Sequence, residues 1–359
     1  MLQNWLKNIP DSLAQWAESL PETSFGKKTL LHHTFFPDLR KVRVAIIGVG
    51  DQEANAVRQQ LYRYASPFPA SAVADLGNLR KAEASLLIPV IYELLSGKVF
   101  PLILGCDDAF ARAQFLAYQD AKSLVNLSIV DEIFRADTVY GHLVTPRHPL
   151  LFHLSLLGLQ AHQTSAAALD LMAKNNFDVV RLGKSRAAME ETEPVLRDAD
   201  MLSFHLAALK QSEVPGVASP SPAGFFVEEA CQLCRYAGMS DKLTSFGLYG
   251  YVLGRDREGQ TAQAAAQMLW YFLEGFFNRK GDYPADTAGL TEYVVDFPKL
   301  NYQLTFWKSN KSGRWWMQVP VATKRKHERH RLIPCSYQDY QLACREELPE
   351  RLVQAMSRF

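Results

Sequence analysis

The stretch VFPLILGCDDA, residues 99–109, sets a short apolar run directly against a cluster of polar side chains. The run is too short and too apolar for an amphipathic helix, so it reads as a strand buried on both faces. VRVAIIG (42–48), VNLSIV (125–130), DVVRL (178–182), MLSFHLA (201–207) and SFGLYGYVL (245–253) read the same way. Between such runs the spacing turns helical. Val227, Ala230, Cys231 and Cys234 fall at i, i+3, i+4 and i+7, with Gly238 where a helix C-cap would sit. Ala262, Ala265, Ala266, Leu269, Leu273 and Phe276 repeat the pattern, as a helix with one buried face does. Strands alternating with such helices predict an α/β fold with a mainly parallel sheet.

Outside this rhythm lie three segments. Residues 1–20, MLQNWLKNIPDSLAQWAESL, read as an amphipathic helix interrupted by Pro10. VASPSPAG (217–224) holds two prolines and must be an ordered loop. From Phe297 onward the chain turns aromatic and basic, with Trp307, Trp315, Trp316 and the cluster Lys324, Arg325, Lys326, Arg329 and Arg331. That cluster is either a solvated loop or a partner-binding surface. The expected division is an N-terminal helical segment (1–40), an α/β domain (41–296) and a C-terminal extension packed on it (297–359).

With 359 residues, 48% of them hydrophobic, the chain can bury one large α/β core or two smaller ones. Lys plus Arg number 39 against 38 Asp plus Glu, so no whole-chain field draws nucleic acid or an anionic membrane. The partner is then a small-molecule ligand or a protein recognised locally. No window offers the roughly 18 apolar residues of a membrane span, and the first residues lack a signal-peptide pattern. Five scattered cysteines, an odd number, suit a reducing compartment, and the cytoplasm is the expected location.

Ligands of parallel sheets bind beyond the carboxyl ends of the strands, where three of these runs end in polar residues. They are Gly105-Cys106-Asp107-Asp108-Ala109, Val130-Asp131-Glu132-Ile133-Phe134-Arg135 and Ser203-Phe204-His205-Leu206-Ala207-Ala208. Taken singly, these residues have structural readings too. Asp107 and Asp108 could cap a following helix, Glu229 could be a carboxylate favoured at a helix start, and His205 could be a hydrogen-bonded core histidine. Cys231 and Cys234 form a CxxC in spacing only, and packing explains them. Gly48-Val49-Gly50 lacks a third glycine, because position 53 is Glu53, so no dinucleotide fingerprint is present.

In order and spacing the three polar segments resemble the arginase/ureohydrolase family, whose motifs there are GGDHS, DxHxD and SxDxD. Gly48-Val49-Gly50-Asp51 with Asn55 and Arg58, then Asp75-Leu76-Gly77, extend the likeness. Pro215-Gly216 with Pro222-Ala223-Gly224-Phe225, and Asp256 with Thr261 and Ala262, carry it to about residue 277. The paired tryptophans of the C-terminal extension resemble the formimidoylglutamase-like branch. This resemblance implies a three-layer α/β/α sandwich of about eight strands, hydrolysis of linear amidines by a manganese pair, and a homo-oligomer. It also places Glu229 on the active-site glutamate, and His142 of Tyr140-Gly141-His142, with His148 and His153, in the substrate-contacting region.

The resemblance assigns the six metal-ligand positions to Asp108, Asp131, Ile133, Arg135, His205 and Ala207. Two Mn²⁺ ions must share a hydroxide and lower its pKa, and isoleucine, arginine and alanine cannot hold them. Arg135 keeps its charge, and a guanidinium about 4 Å from a cation costs on the order of 4 kcal/mol per unit charge at an effective dielectric of roughly 20. Arg135 is therefore expected in the metal's place, neutralising Asp108 and Asp131. The expected protein has a dismantled dimanganese site, needs no cofactor, and binds a ligand or partner without hydrolysis. The alternative is a hydrolase of linear amidines such as N-formimidoyl-glutamate, with one Mn²⁺ at Asp108, Asp131 and His205. A one-residue slip after Val130 would instead offer Glu132 as a ligand, on the opposite face of the strand.

Overall fold

A computed structural model describes residues 2–119, 124–136, 139–298, 302–320 and 330–358. Eight parallel strands form the central sheet: β1 Val44–Val49, β2 Val73–Leu79, β3 Phe100–Gly105, β4 Val125–Val130, β5 Leu151–Leu159, β6 Asp178–Arg181, β7 Met201–His205 and β8 Ser245–Tyr249. Their order across the sheet is β2-β1-β3-β8-β7-β4-β5-β6. Two short segments extend one side, Leu6–Lys7 antiparallel to β2 and Leu30–Leu31 parallel to it. The chain before Pro10 thus joins the sheet instead of forming the expected helix. Helix α1, Asp11–Glu18, begins only after the proline, which has no N–H to give and suits a helix start.

Alternate side chains of each strand enter opposite cores, which makes the sheet the middle of three layers. Ile46, Leu102, Phe204 and Phe246 pack on one face with helices α2 (Asp51–Leu61), α5 (Val227–Gly238) and α6 (Gln260–Phe277). Ile47, Ile103, Ile129 and Leu156 pack on the other with α3 (Ala84–Ser96) and α4 (Ala109–Leu116). The α/β/α arrangement and the mainly parallel sheet are those the sequence led one to expect. Gly238 is a correction. It is the last residue of α5, not its C-cap, and a Cβ there would lie 2.2 Å from the Phe272 carbonyl oxygen of α6. Gly275 of α6 answers it, with a Cβ position 2.3 Å from the Arg235 carbonyl oxygen, so the two helices meet backbone to backbone.

A second sheet, which the aromatic, basic composition did not announce, begins at Leu290, ahead of the expected start of the C-terminal extension at residue 297. Strands β9 (Leu290–Phe297), β10 (Tyr302–Ser309), β11 (Trp315–Gln318) and β12 (Leu332–Cys335) pair antiparallel in chain order. Lys324, Arg325, Lys326 and Arg329 lie outside the described residues. Arg197, at the end of a main-domain helix, donates to the carbonyls of Trp315 (3.0 Å) and Cys335 (3.1 Å) and lies 4.4 Å from the Trp316 ring centroid. This buried cation ties the second sheet to the first. No helix among the described residues is long and apolar enough to cross a membrane.

Candidate functional site

Four adjacent strands at the centre of the sheet, β3, β8, β7 and β4, end on one edge and deliver the polar segments to one place. After β3, Asp107 and Asp108 divide the work. The Asp107 carboxylate accepts the Ala109 N–H at 2.8 Å and caps α4, which leaves Asp108 free to reach across the site. After β4, the fully buried Asp131 accepts the Glu132 N–H at 2.8 Å. Arg135 Nε lies 2.8 Å from Asp131 Oδ2 and 3.4 Å from Asp108 Oδ2. Its Nη2 lies 3.3 Å from Nδ1 of His205, at the end of β7.

His205 Nδ1 also accepts the Ala207 N–H at 3.1 Å, so this nitrogen is the unprotonated one. Burial, aided by Arg135 and opposed by Asp131, brings the imidazole down to about 4, and it is neutral at pH 7. Its ring lies against Gly250, after β8, where a Cβ would fall 2.4 Å from His205 Cε1. Gly250 also has φ +87°, so both the close approach and the backbone call for glycine. The strand in MLSFHLA stops at His205, and Leu206–Ala208 turn as a 3-10 segment capped by this imidazole. Burial, together with Asp107 and Asp131, holds the Asp108 carboxyl above its usual range despite Arg135.

Asp108, Asp131, Arg135 and His205 therefore meet, and Asp131 rather than Glu132 faces Arg135. Glu229 makes its contacts elsewhere. One of its oxygens accepts the Phe226 N–H at 2.9 Å at the start of α5 and the other receives Arg186 Nε at 2.9 Å. Those are the contacts of a capping carboxylate. His142 is exposed and lines a cleft of about 350 Å³ beside Asp108, with Arg112, Ile88, Leu116 and Val139. His148 and His153 turn inward instead: His148 packs edge-on to Phe115, and the buried His153 sits 3.0 Å from Asp178.

The reading of the motifs weighed Glu132 only as a ligand after a one-residue slip. Glu132 is buried and accepts from Gln163 at 3.3 Å, within a polar knot that includes Gln160 and Ser221. Burial and the neighbouring Asp131 push its carboxyl up to about 7. The signal was its place beside Asp131, since a carboxylate that shares a buried strand end cannot also be fully solvated.

The donors left at this edge do not suit the metal pair that the resemblance implies. The space faced by Asp108, Asp131 and His205 Nδ1 holds the Arg135 guanidinium, and an ion there would have to displace a fixed positive charge. Among the described residues no three His, Cys, Asp or Glu side chains form a group able to hold a metal ion.

Residues 140–274 match the Arginase family. No curated protein matches the chain by sequence. In structure, it resembles formiminoglutamase from Trypanosoma cruzi at TM-score 0.62 and 18% identity, covering 67% of this chain and 96% of that one. Formimidoylglutamase from Bacillus subtilis gives 0.60 and 20%, over 68% and 90%. Agmatine ureohydrolase from Thermoplasma volcanium gives 0.56 and 18%, over 67% and 92%. The Trypanosoma cruzi enzyme has also been solved with Mn²⁺. The matched stretch runs through β5 to β8 and both packed helices, and with the shared arginase-like fold it relates this chain to the arginase/ureohydrolase family, with formiminoglutamases among its structural neighbours.

Proposed function

We propose that this chain is a ureohydrolase-fold protein that binds a ligand at the old catalytic edge and does not hydrolyse it by two-metal chemistry. The observation that carries the reading is the Arg135 guanidinium, 2.8 Å from Asp131, 3.4 Å from Asp108 and 3.3 Å from His205. One arginine, hydrogen-bonded to Asp131 and His205 and ion-paired with Asp108, spans three strand ends, a task that metal ions perform in the family. Glu229, engaged by Arg186 and by the start of α5, is a helix cap here with no catalytic duty.

The cleft beside Asp108 is the place for the ligand. Its floor of Ile88, Leu116 and Val139 is apolar, and Asp108, Arg112 and His142 stand around it. Such a lining suits a small molecule carrying both signs of charge, with a side chain of a partner protein as the other candidate. All five cysteines are free, in keeping with a reducing, cytoplasmic setting, and self-association follows the habit of the family.

The test is to incubate the chain with Mn²⁺, remove free metal by gel filtration, and measure both bound metal and hydrolysis of N-formimidoyl-glutamate. The expected result is no retained manganese and no turnover. One retained equivalent with turnover that Asp131→Ala abolishes would favour a single-metal hydrolase and reject the proposal.

A further inference from the structure

At the opposite edge of the sheet, where β1, β3 and β8 begin, a cleft of about 330 Å³ gathers Arg43, Lys98 and Arg279. Only one carboxylate lines it, and that group is occupied. Asp241 Oδ1 accepts the Gly281 N–H at 3.2 Å and its Oδ2 the Asp282 N–H at 2.9 Å. Arg279 donates to two neutral carbonyls, Gly238 at 2.9 Å and Leu243 at 3.0 Å, which fix the guanidinium without neutralising it. Among the described residues the side chains of Arg43 and Lys98 have no hydrogen bond or ion pair.

The cations are held in place despite their repulsion. Arg279 lies 4.2 Å and Arg43 5.1 Å from the centroid of the same ring, Phe276, so one aromatic side chain packs with two guanidinium groups. Burial first, and then the charges of Arg43 and Arg314, bring Arg279 down to about 9 against the opposing charge of Asp241. Lys98 sits at φ +57°, a left-handed position that glycine or asparagine usually fills. A lysine there keeps a cation at the mouth of the cleft at a backbone cost of about 1 kcal/mol.

We propose that this cleft binds a small phosphate-bearing anion through Arg43, Lys98 and Arg279. A phosphate dianion offers several strong acceptors to converging cations, and guanidinium forks match its oxygens better than those of a halide. The cleft has room for a free phosphate or a small phosphate monoester. The site faces away from the Arg135 cluster, so it stands or falls independently of the proposed function.

Calorimetric titration of the full chain at fixed ionic strength, with inorganic phosphate and with phenyl phosphate as probes, tests this. Saturable one-site binding is expected, tighter for whichever probe matches the natural source. Lys98→Gln and Arg43→Gln should each weaken it about tenfold, the usual worth of one charged hydrogen bond. Both side chains are exposed and make no hydrogen bond or ion pair among the described residues, so their loss leaves the protein folded. Absence of binding by either probe at millimolar concentration, or equal affinity in the wild type and both variants, would overturn the proposal.

Discussion

Glu132 follows Asp131 in the chain yet turns away from the arginine, into the knot of Gln160, Gln163 and Ser221. Its carboxyl, at about 7 in the fold against 4.5 in a free chain, keeps a proton that the unfolded chain releases. Between those two values the folded state binds more protons, so this group's contribution to stability is present below about 4.5 and is lost as pH rises through about 7. Glu132→Gln should remove that loss and raise stability at pH 8 by about 1–2 kcal/mol, measured by urea denaturation against pH. His205 works in the opposite direction: its folded value of about 4 favours the fold as pH rises toward the imidazole's ordinary value of 6.5. The difference between variant and wild type isolates Glu132, and an unchanged pH profile in the variant would refute the assignment. Asp131, Arg135 and His205 were legible because motif positions name the residues that point into a site. That Asp107 or Asp108 would cap a helix was legible too; which of the two does so, and where Glu132 turns, was not, since only the turn after each strand decides it.

Between elements, the contact of α5 with α6 rests on glycines. Gly238→Ala would press a methyl group toward a backbone oxygen 2.2 Å away, which cannot swing aside as a side chain can. Loss of about 1–3 kcal/mol is expected. Gly183→Ala is the control, since a Cβ there meets nothing within 4 Å, and a small gain of about 0.5 kcal/mol is expected from helix propensity. Thermal melts of the two variants should move in opposite directions, and equal melting temperatures would contradict the close helix contact. The apolar runs revealed six of the eight strands. β2 and β5 escaped because polar residues interrupt them: Asp75 and Asn78 in one, His153 and Ser155 in the other. Partners distant in sequence make those side chains tolerable in a core. Arg58 donates to Asp75 at 2.8 and 2.9 Å and to Asn78, while Ser155 pairs with Ser128 at 2.7 Å.

Across the whole molecule, the layered α/β plan follows from the alternation of apolar runs and one-faced helices, because burial on both faces leaves a parallel sheet little alternative. The second sheet was not readable in the same way. Its first strand is largely exposed, and its attachment depends on Arg197 and on Arg358, which pairs with Asp178 at 2.6 Å and Asp198 at 3.0 Å. No periodicity records such long-range ties. The fold shared with formiminoglutamases thus carries, at the strand ends of this chain, an arginine between two carboxylates. The most direct measurement is a crystal structure grown with excess Mn²⁺, with anomalous differences collected at the manganese edge. The expected map has no anomalous peak between Asp108, Asp131 and His205 and continuous density for the Arg135 guanidinium there; two adjacent peaks with Arg135 swung out would contradict the account.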